Sequence, residues 1–135
     1  MLTDNILVLI KNLKKNHTKC LNSIEQMKDF PVLEHYDRLE LRRHWYNNNL
    51  RFQDQYNKEF KFAALKHDFK IMHSIVTLCH DAIRLVQNEL ERTNVNNEET
   101  INNFLKALDL QKRLFCTAFE NYIELLEGNE FFEEI

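Results

Sequence analysis

The sequence predicts an all-α protein, an antiparallel four-helix bundle with long helices and short polar connections, and three observations carry that prediction. Apolar residues recur by threes and fours. The longest run, Phe62, Leu65, Phe69, Met72, Val76, Cys79, Ile83, Val86 and Leu90, holds that step for about four heptads, as a helix must to keep one seam dry. Gly128 and Pro31 are the only glycine and proline in 135 residues, where average usage gives roughly ten and seven. Strands joined by tight turns need both, so their scarcity argues against a sheet. The breaks between apolar runs are short and polar, which makes successive helices neighbours of opposite direction.

Leu2, Ile6, Leu9, Ile10, Leu13, Cys20, Leu21, Ile24 and Met27 mark a first helix from about Thr3 to Lys28, with Thr3 or Asp4 as its N-cap. Asp29-Phe30-Pro31 breaks it, because Pro31 cannot continue the hydrogen bonding but suits the first turn of a following helix. The second helix is expected over Val32–Asn49, with Val32, Tyr36, Leu39, Tyr46 and Leu50 as its apolar stripe. Projected onward, that stripe meets Gln53 and Asn57; projected backward, the later heptad meets Lys58, Gln55, Arg51 and Asn48. The seams do not join, so a turn is expected within Asn47–Asn57, with the Asn47-Asn48-Asn49 run or Asn57 as breaker.

The third helix is expected over Lys58–Thr93. Thr93-Asn94-Val95-Asn96-Asn97 is turn-forming, and Asn96 followed by Glu99 reads as a capping box that opens a last helix over Asn97–Glu127. Ile101, Leu105, Leu108, Phe115, Phe119, Tyr122 and Leu126 line one face of it. Leu110, Leu114 and Ile123 widen that face until the helix is apolar nearly all round, which predicts a central position or a second partner surface. Gly128 is placed to stop the helix as its C′ residue. Residues 1–128 then form the bundle domain, and residues 129–135 a short acidic tail with Phe131, Phe132 and Ile135 as apolar hooks.

Net charge is −3, but residues 1–67 carry +4 and residues 68–135 carry −7. Antiparallel packing pairs such halves within a molecule and head-to-tail association pairs them between molecules. From Leu114 onward there are six glutamates and no Lys or Arg, an end that repels nucleic acid. Cys20, Cys79 and Cys116 lie far apart at apolar helical positions and read as buried free thiols of a reducing compartment. The amino-terminal residues lack the basic start and unbroken apolar core of a secretory signal, and no stretch approaches a membrane span; the expected location is cytoplasmic.

Six histidines raise a metal hypothesis, which the spacing does not support. Di-iron bundles need a Glu three residues before a His on two helices; the residues so placed here are Lys14, Val32, Leu41, Ala64, Lys70 and Thr77, so no metal and no cofactor is expected. His67-Asp68-Phe69-Lys70 resembles the core of a histidine phosphotransfer domain, which implies a phosphoryl-accepting His67 with Lys70 offsetting its charge; Ile71 stands where that family has Gly. Arg38 and His44 resemble the Arg-x(4–6)-His pair of the helical HEPN ribonucleases, which implies stabilisation and protonation of a cleaved phosphodiester; Leu39 and the early position depart from that pattern. Basic residues interleaved with Trp45, Tyr46 and Phe52 match single-strand binders in type, but the acidic overall balance favours reading them as the polar backs of helices. The glutamate-rich end with Phe132 resembles the translocation signal of substrates of bacterial type IVB secretion systems, which implies export into a host cell without a cleaved leader.

No nucleophile–base pair, phosphate loop or metal set is present in the sequence pattern. The expected function is therefore non-enzymatic: an adaptor, secretion chaperone or regulator that holds a partner protein through Leu110, Leu114, Ile123, Phe131 and Phe132. Self-association as a homodimer is expected from the complementary halves and from the long heptad, with no membrane and no nucleic acid as partner.

Overall fold

The three- and four-residue apolar spacing winds the chain into α1 (Asp4–Gln26), α2 (His35–Lys58), α3 (Ala63–Arg92) and α4 (Glu98–Gly128). The structure is a computed structural model that describes residues 4–58, 63–92 and 98–128; among the described residues there is no strand. Each helix packs beside its sequence neighbours and α1 closes the ring against α4, leaving α1–α3 and α2–α4 as diagonals. Side-chain hydrogen bonds fix the directions. Asn16, Cys20 and Ser23 of α1 meet Gln55, Asn49 and Asn48 of α2, so one index rises as the other falls. Arg42, Gln53 and Tyr56 of α2 meet Gln87, His73 and Asp68 of α3 in the same inverse order, and Glu25 of α1 and Lys28 just beyond its end meet Lys112 and Asp109 of α4. The expected antiparallel four-helix bundle is the fold.

The seam of α3 from Phe69 to Leu90 faces the core as its heptad requires, with Met72, Cys79, Ile83 and Val86 fully covered and Phe69, Val76 and Leu90 packed at its margin. Phe62 lies outside the described residues. Aromatic rings fill one stretch of the interior: Phe52 lies 5.2 Å from Phe115 and 5.4 Å from His17, and Tyr56 lies 5.0 Å from Tyr122. Phe30 and Phe104, 5.9 Å apart, close another. Between them sits a polar knot. Trp45 Nε1 donates to Gln111 Oε1 (3.2 Å), Gln111 Nε2 donates to Asn49 Oδ1 (2.7 Å), and Asn49 Nδ2 donates back to the Trp45 carbonyl (2.7 Å). The Cys20 thiol adds a bond to Asn49 Oδ1 at 3.4 Å. Trp45, Asn49 and Gln111 are buried, so these bonds form in the dry interior, and the two that Gln111 makes cross the α2–α4 diagonal.

That knot overturns the expected course of the second helix. Neither Asn47-Asn48-Asn49 nor Asn57 breaks it: α2 continues to Lys58, and residues 59–62 before α3 lie outside the described residues. Asparagine disfavours a helix interior because its amide competes for the backbone. Here Asn49 bonds the carbonyl of its own helix four residues back, and Asn48 donates to Ser23 Oγ, so both amides are engaged while the backbone stays helical. The apolar stripe is also inverted. Tyr36, Leu39, Tyr46 and Leu50 are exposed, and the buried face carries Trp45, Asn49, Phe52, Gln53 and Tyr56.

The ends differ from expectation in detail. α1 stops at Gln26, and a 3₁₀ turn over Met27–Val32 takes up Pro31. With three residues per turn, Met27 and Phe30 eclipse one another, and both are buried. Leu33 is extended, and α2 begins at His35 rather than Val32, the Arg38 N–H bonding the Glu34 carbonyl at 2.9 Å. Gly128 is the last helical residue and takes no left-handed conformation, so it is not the C′ cap anticipated. Asp4, one of the two expected N-caps of α1, is itself helical, and Thr3 and Asn96 lie outside the described residues.

Gln111 supplies both a donor and an acceptor to the knot, and its replacement by leucine leaves the Trp45 N–H buried without a partner. Gln111→Leu is expected to lower unfolding free energy by about 1–3 kcal/mol, measured by urea denaturation. Asn49→Leu made in that background should cost less than in the wild type, because the pair acts as a unit.

His17 is 8% exposed, stacked on Phe119 with ring centroids 4.0 Å apart, and its Nε2 meets no hydrogen-bond partner. Burial holds its pKa below the ordinary value of 6.5, with a bond to the Phe115 backbone opposing the shift. The unfolded chain therefore takes up a proton that the folded chain refuses as pH falls through that value. The resulting stability is fully present above about pH 6.5 and declines below it, until pH reaches the folded pKa, by at most about 1.4 kcal/mol per pH unit. Melting at pH 5.5 against pH 7.5 should show this loss, and His17→Gln should remove its share of the slope.

Candidate partner-binding groove

On α3 the core positions Cys79, Ile83 and Val86 are each preceded by a second apolar residue, Leu78, Ala82 and Leu85. Adjacent residues on a helix lie about 100° apart, so this second line cannot join the same seam. It turns toward α4, where Ala107 and Leu110 stand opposite. The small side chains of Ala82 and Ala107 leave a groove between the two helices, about 340 Å³, walled by Leu78, Leu85 and Leu110 with Asn103, Asp81 and Lys106 at its rim. The leucines are 49%, 58% and 40% exposed, so each keeps about half its surface available to another molecule. Beneath the groove the Cys79 thiol, which burial pushes up to about 12, donates to the Ala107 carbonyl at 3.2 Å and ties α3 to α4.

Of the residues the sequence singles out for partner contact, Leu110 is on this groove. Leu114, one turn further along α4, is half-buried and packed against the core, and so is Ile123. Much of the apolar surplus of α4 is thus absorbed by its own bundle. Phe131 and Phe132 lie outside the described residues. Leu78 and Leu85 were not among the expected contacts; the signal for them is the doublet pattern Leu78-Cys79, Ala82-Ile83 and Leu85-Val86, an apolar face wider than one seam uses.

The residues of the two enzyme resemblances are also placed. His67 and Lys70 are both exposed on α3, one turn apart, with Ile71 half-buried beside them. Arg38 and His44 are six positions apart and so about 120° apart around α2. Arg38 is half-buried with Nε unpartnered, while His44 lines a polar groove between α1 and α2 with Lys19, Asn22, Ser23, Gln26 and Asn48. Of the aromatics interleaved with the basic residues, Trp45 and Phe52 are in the core, where they cannot stack on bases, and Tyr46 is exposed beside Arg42 and Arg43. Among the described residues no three His, Cys, Asp or Glu side chains group as metal ligands, and no helix is long and apolar enough to cross a membrane.

Along the edge between α1 and α4 the ion pairs follow the uneven charge of the two halves only in part. Glu25 pairs with Lys112, an acid of the basic half with a base of the acidic half, and at 3.1 Å with Lys28, while Lys28 reaches Asp109 at 3.9 Å. The hydrogen bond from Lys112, then that from Lys28, holds the Glu25 carboxyl below the usual glutamate range. At the α3–α4 groove Asp81 on one wall pairs with Arg84 of its own helix (3.7 Å), and Lys106 stands on the other wall. A scan against protein-family models, a search of curated proteins and a search of solved structures each returned no match to this chain.

Proposed function

We propose that this protein is a non-enzymatic helical-bundle interaction module, an adaptor, secretion chaperone or regulator that acts by holding another polypeptide, and that it self-associates as a homodimer. The observation that supports this reading is the α3–α4 groove with its exposed Leu78, Leu85 and Leu110. Leucines at this spacing on two adjacent helices form the receptor half of a helix-in-groove contact. A two-fold axis across the groove brings the Asp81 of each copy toward the Lys106 of the other, which makes the same face self-complementary. Completing the burial of each leucine contributes about 1 kcal/mol, which makes the three leucines the centre of a larger contact rather than the whole of it.

Leu78→Glu combined with Leu110→Glu is expected to weaken self-association at least about a hundredfold, equivalent to about 2.7 kcal/mol, while leaving helix content and melting temperature near the wild type. Light scattering across protein concentration and co-purification from the native cell read the two parts. Failure of the variant to change either association or partner recovery counts against the groove. A monomer at every concentration with no partner recovered, together with acid-labile phosphate on His67 or with phosphodiester cleavage lost in Arg38→Ala or His44→Ala, would replace this reading with an enzyme.

A further inference from the structure

The apolar stripe that the sequence assigns to the interior of α2 lies on its outer face. Tyr36, Leu39, Tyr46 and Leu50 are between 42% and 71% exposed. Their spacing is that of alternating a and d positions in a heptad, with Arg43 at the a position between Leu39 and Tyr46. The line spans about 21 Å at 1.5 Å per residue, the length of a helix–helix contact of two heptads. It runs beside α3, and Leu39, Arg42, Arg43, Tyr46 and His80 wall a depression of about 260 Å³ there.

The charge at this depression decides what can cover it. Arg42 reaches no carboxylate among the described residues; its Nη1 donates to Gln87 Oε1 at 2.7 Å and its Nη2 to His80 Nε2 at 3.2 Å. Arg43 is held by Glu40 of its own helix at 2.6 Å, an exposed i,i+3 pair that contributes little and that another carboxylate can replace. Arg42, which lines the depression beside the seam with no carboxylate among the described residues, rejects an all-apolar helix, which would desolvate its charge, and rejects a basic one by repulsion. It accepts a helix with an acid at the facing position.

From this juxtaposition of a heptad-spaced apolar stripe with Arg42 and Arg43 we infer that the α2 face is a second docking surface, and that its occupant is an acidic amphipathic helix of a partner protein. That helix presents Leu or aromatic side chains to Tyr36, Leu39, Tyr46 and Leu50, and a Glu or Asp to the two arginines. The surface is distinct from the α3–α4 groove: on α3, His80 faces α2 while Leu78 and Leu85 face α4, so both can be occupied together.

The test uses the full chain and two synthetic helical peptides of about three heptads, both with Leu at the seam, one with Glu and the other with Lys at the flanking and central polar positions. The Glu peptide is expected to bind at least about tenfold more tightly than the Lys peptide, with affinity that falls as salt rises. Leu39→Ser with Tyr46→Ser should abolish that binding, and Arg42→Gln with Arg43→Gln should erase the preference for Glu over Lys. All four positions are solvent-facing or half-buried, and circular dichroism melting confirms that each variant is folded. The inference is overturned if the Glu peptide does not bind at millimolar concentration, if both peptides bind equally, or if binding is lost with Leu78→Glu and Leu110→Glu instead. Loss of self-association in the Leu39→Ser, Tyr46→Ser variant overturns it too, since the face would then belong to a second copy. None of these outcomes depends on whether the α3–α4 groove supports the dimer.

Discussion

The closed circuit of Trp45, Gln111 and Asn49 is the constraint on which the arrangement of the bundle depends. Helices with apolar faces can slide or rotate against each other at small cost, because one leucine contact substitutes for another. A buried amide allows no such substitution: displaced by one turn, Gln111 would leave the Trp45 N–H and its own amide dry and unpaired, at a cost of about 1–3 kcal/mol for each group. The knot therefore sets the register of α2 against α4 across the diagonal, and the Cys20 thiol extends it to α1. α3, outside the circuit, is positioned by its uninterrupted heptad and by the Cys79 bond to the Ala107 carbonyl. Polar specificity on three helices and apolar burial on the fourth are complementary ways of choosing one structure from the many that helical packing permits.

The rotation of α2 follows from that choice, and its outer surface with it. Committing the side of Trp45, Asn49, Phe52, Gln53 and Tyr56 to the interior places Tyr36, Leu39, Tyr46 and Leu50 outside. Two neutral amides are thus buried on a helix that exposes two tyrosines and two leucines, an exchange unfavourable on hydrophobic grounds alone. It is tolerated because Asn49 is satisfied by Gln111 and the Trp45 carbonyl, and Gln53 receives a contact from His73 at 3.4 Å. The buried aromatic surface of Trp45, Phe52 and Tyr56 then outweighs the leucines left in water.

This is also where reading the sequence succeeded and where it did not. The heptad of α3 was legible because all its members are apolar and the pattern needs no knowledge of neighbours. The scarcity of glycine and proline gave the class, and Pro31 gave a break that the 3₁₀ turn occupies. α2 was illegible for a physical reason: hydropathy periodicity treats every amide as solvent-seeking, and whether Asn49 or Gln53 can be buried depends on partners on α3 and α4 that lie tens of residues away. The same blindness placed the expected turn within Asn47–Asn57, all of it inside α2. At the groove, Leu110 was legible as surplus on a helix whose core face was already full. Leu114 and Ile123 were surplus by the same count but are taken up by the edges of neighbouring helices, which periodicity on a single helix cannot resolve.

The two outward apolar surfaces share α3 as the rib between them. Its core seam is flanked by Leu78 and Leu85 toward α4 and by His80 toward α2, so one helix presents a different chemistry on each side of the line it buries. Toward α4 the rim carries one acid and one base, an arrangement that can complement itself; toward α2 the walls carry two guanidinium groups and an imidazole, with Glu40 on Arg43 and no carboxylate on Arg42 among the described residues. The occupants proposed for the two surfaces, a second copy for the first and an acidic helix for the second, rest on that difference in charge. A bundle whose register is fixed by an internal polar circuit can bear both, because neither outer surface is needed to hold its core together.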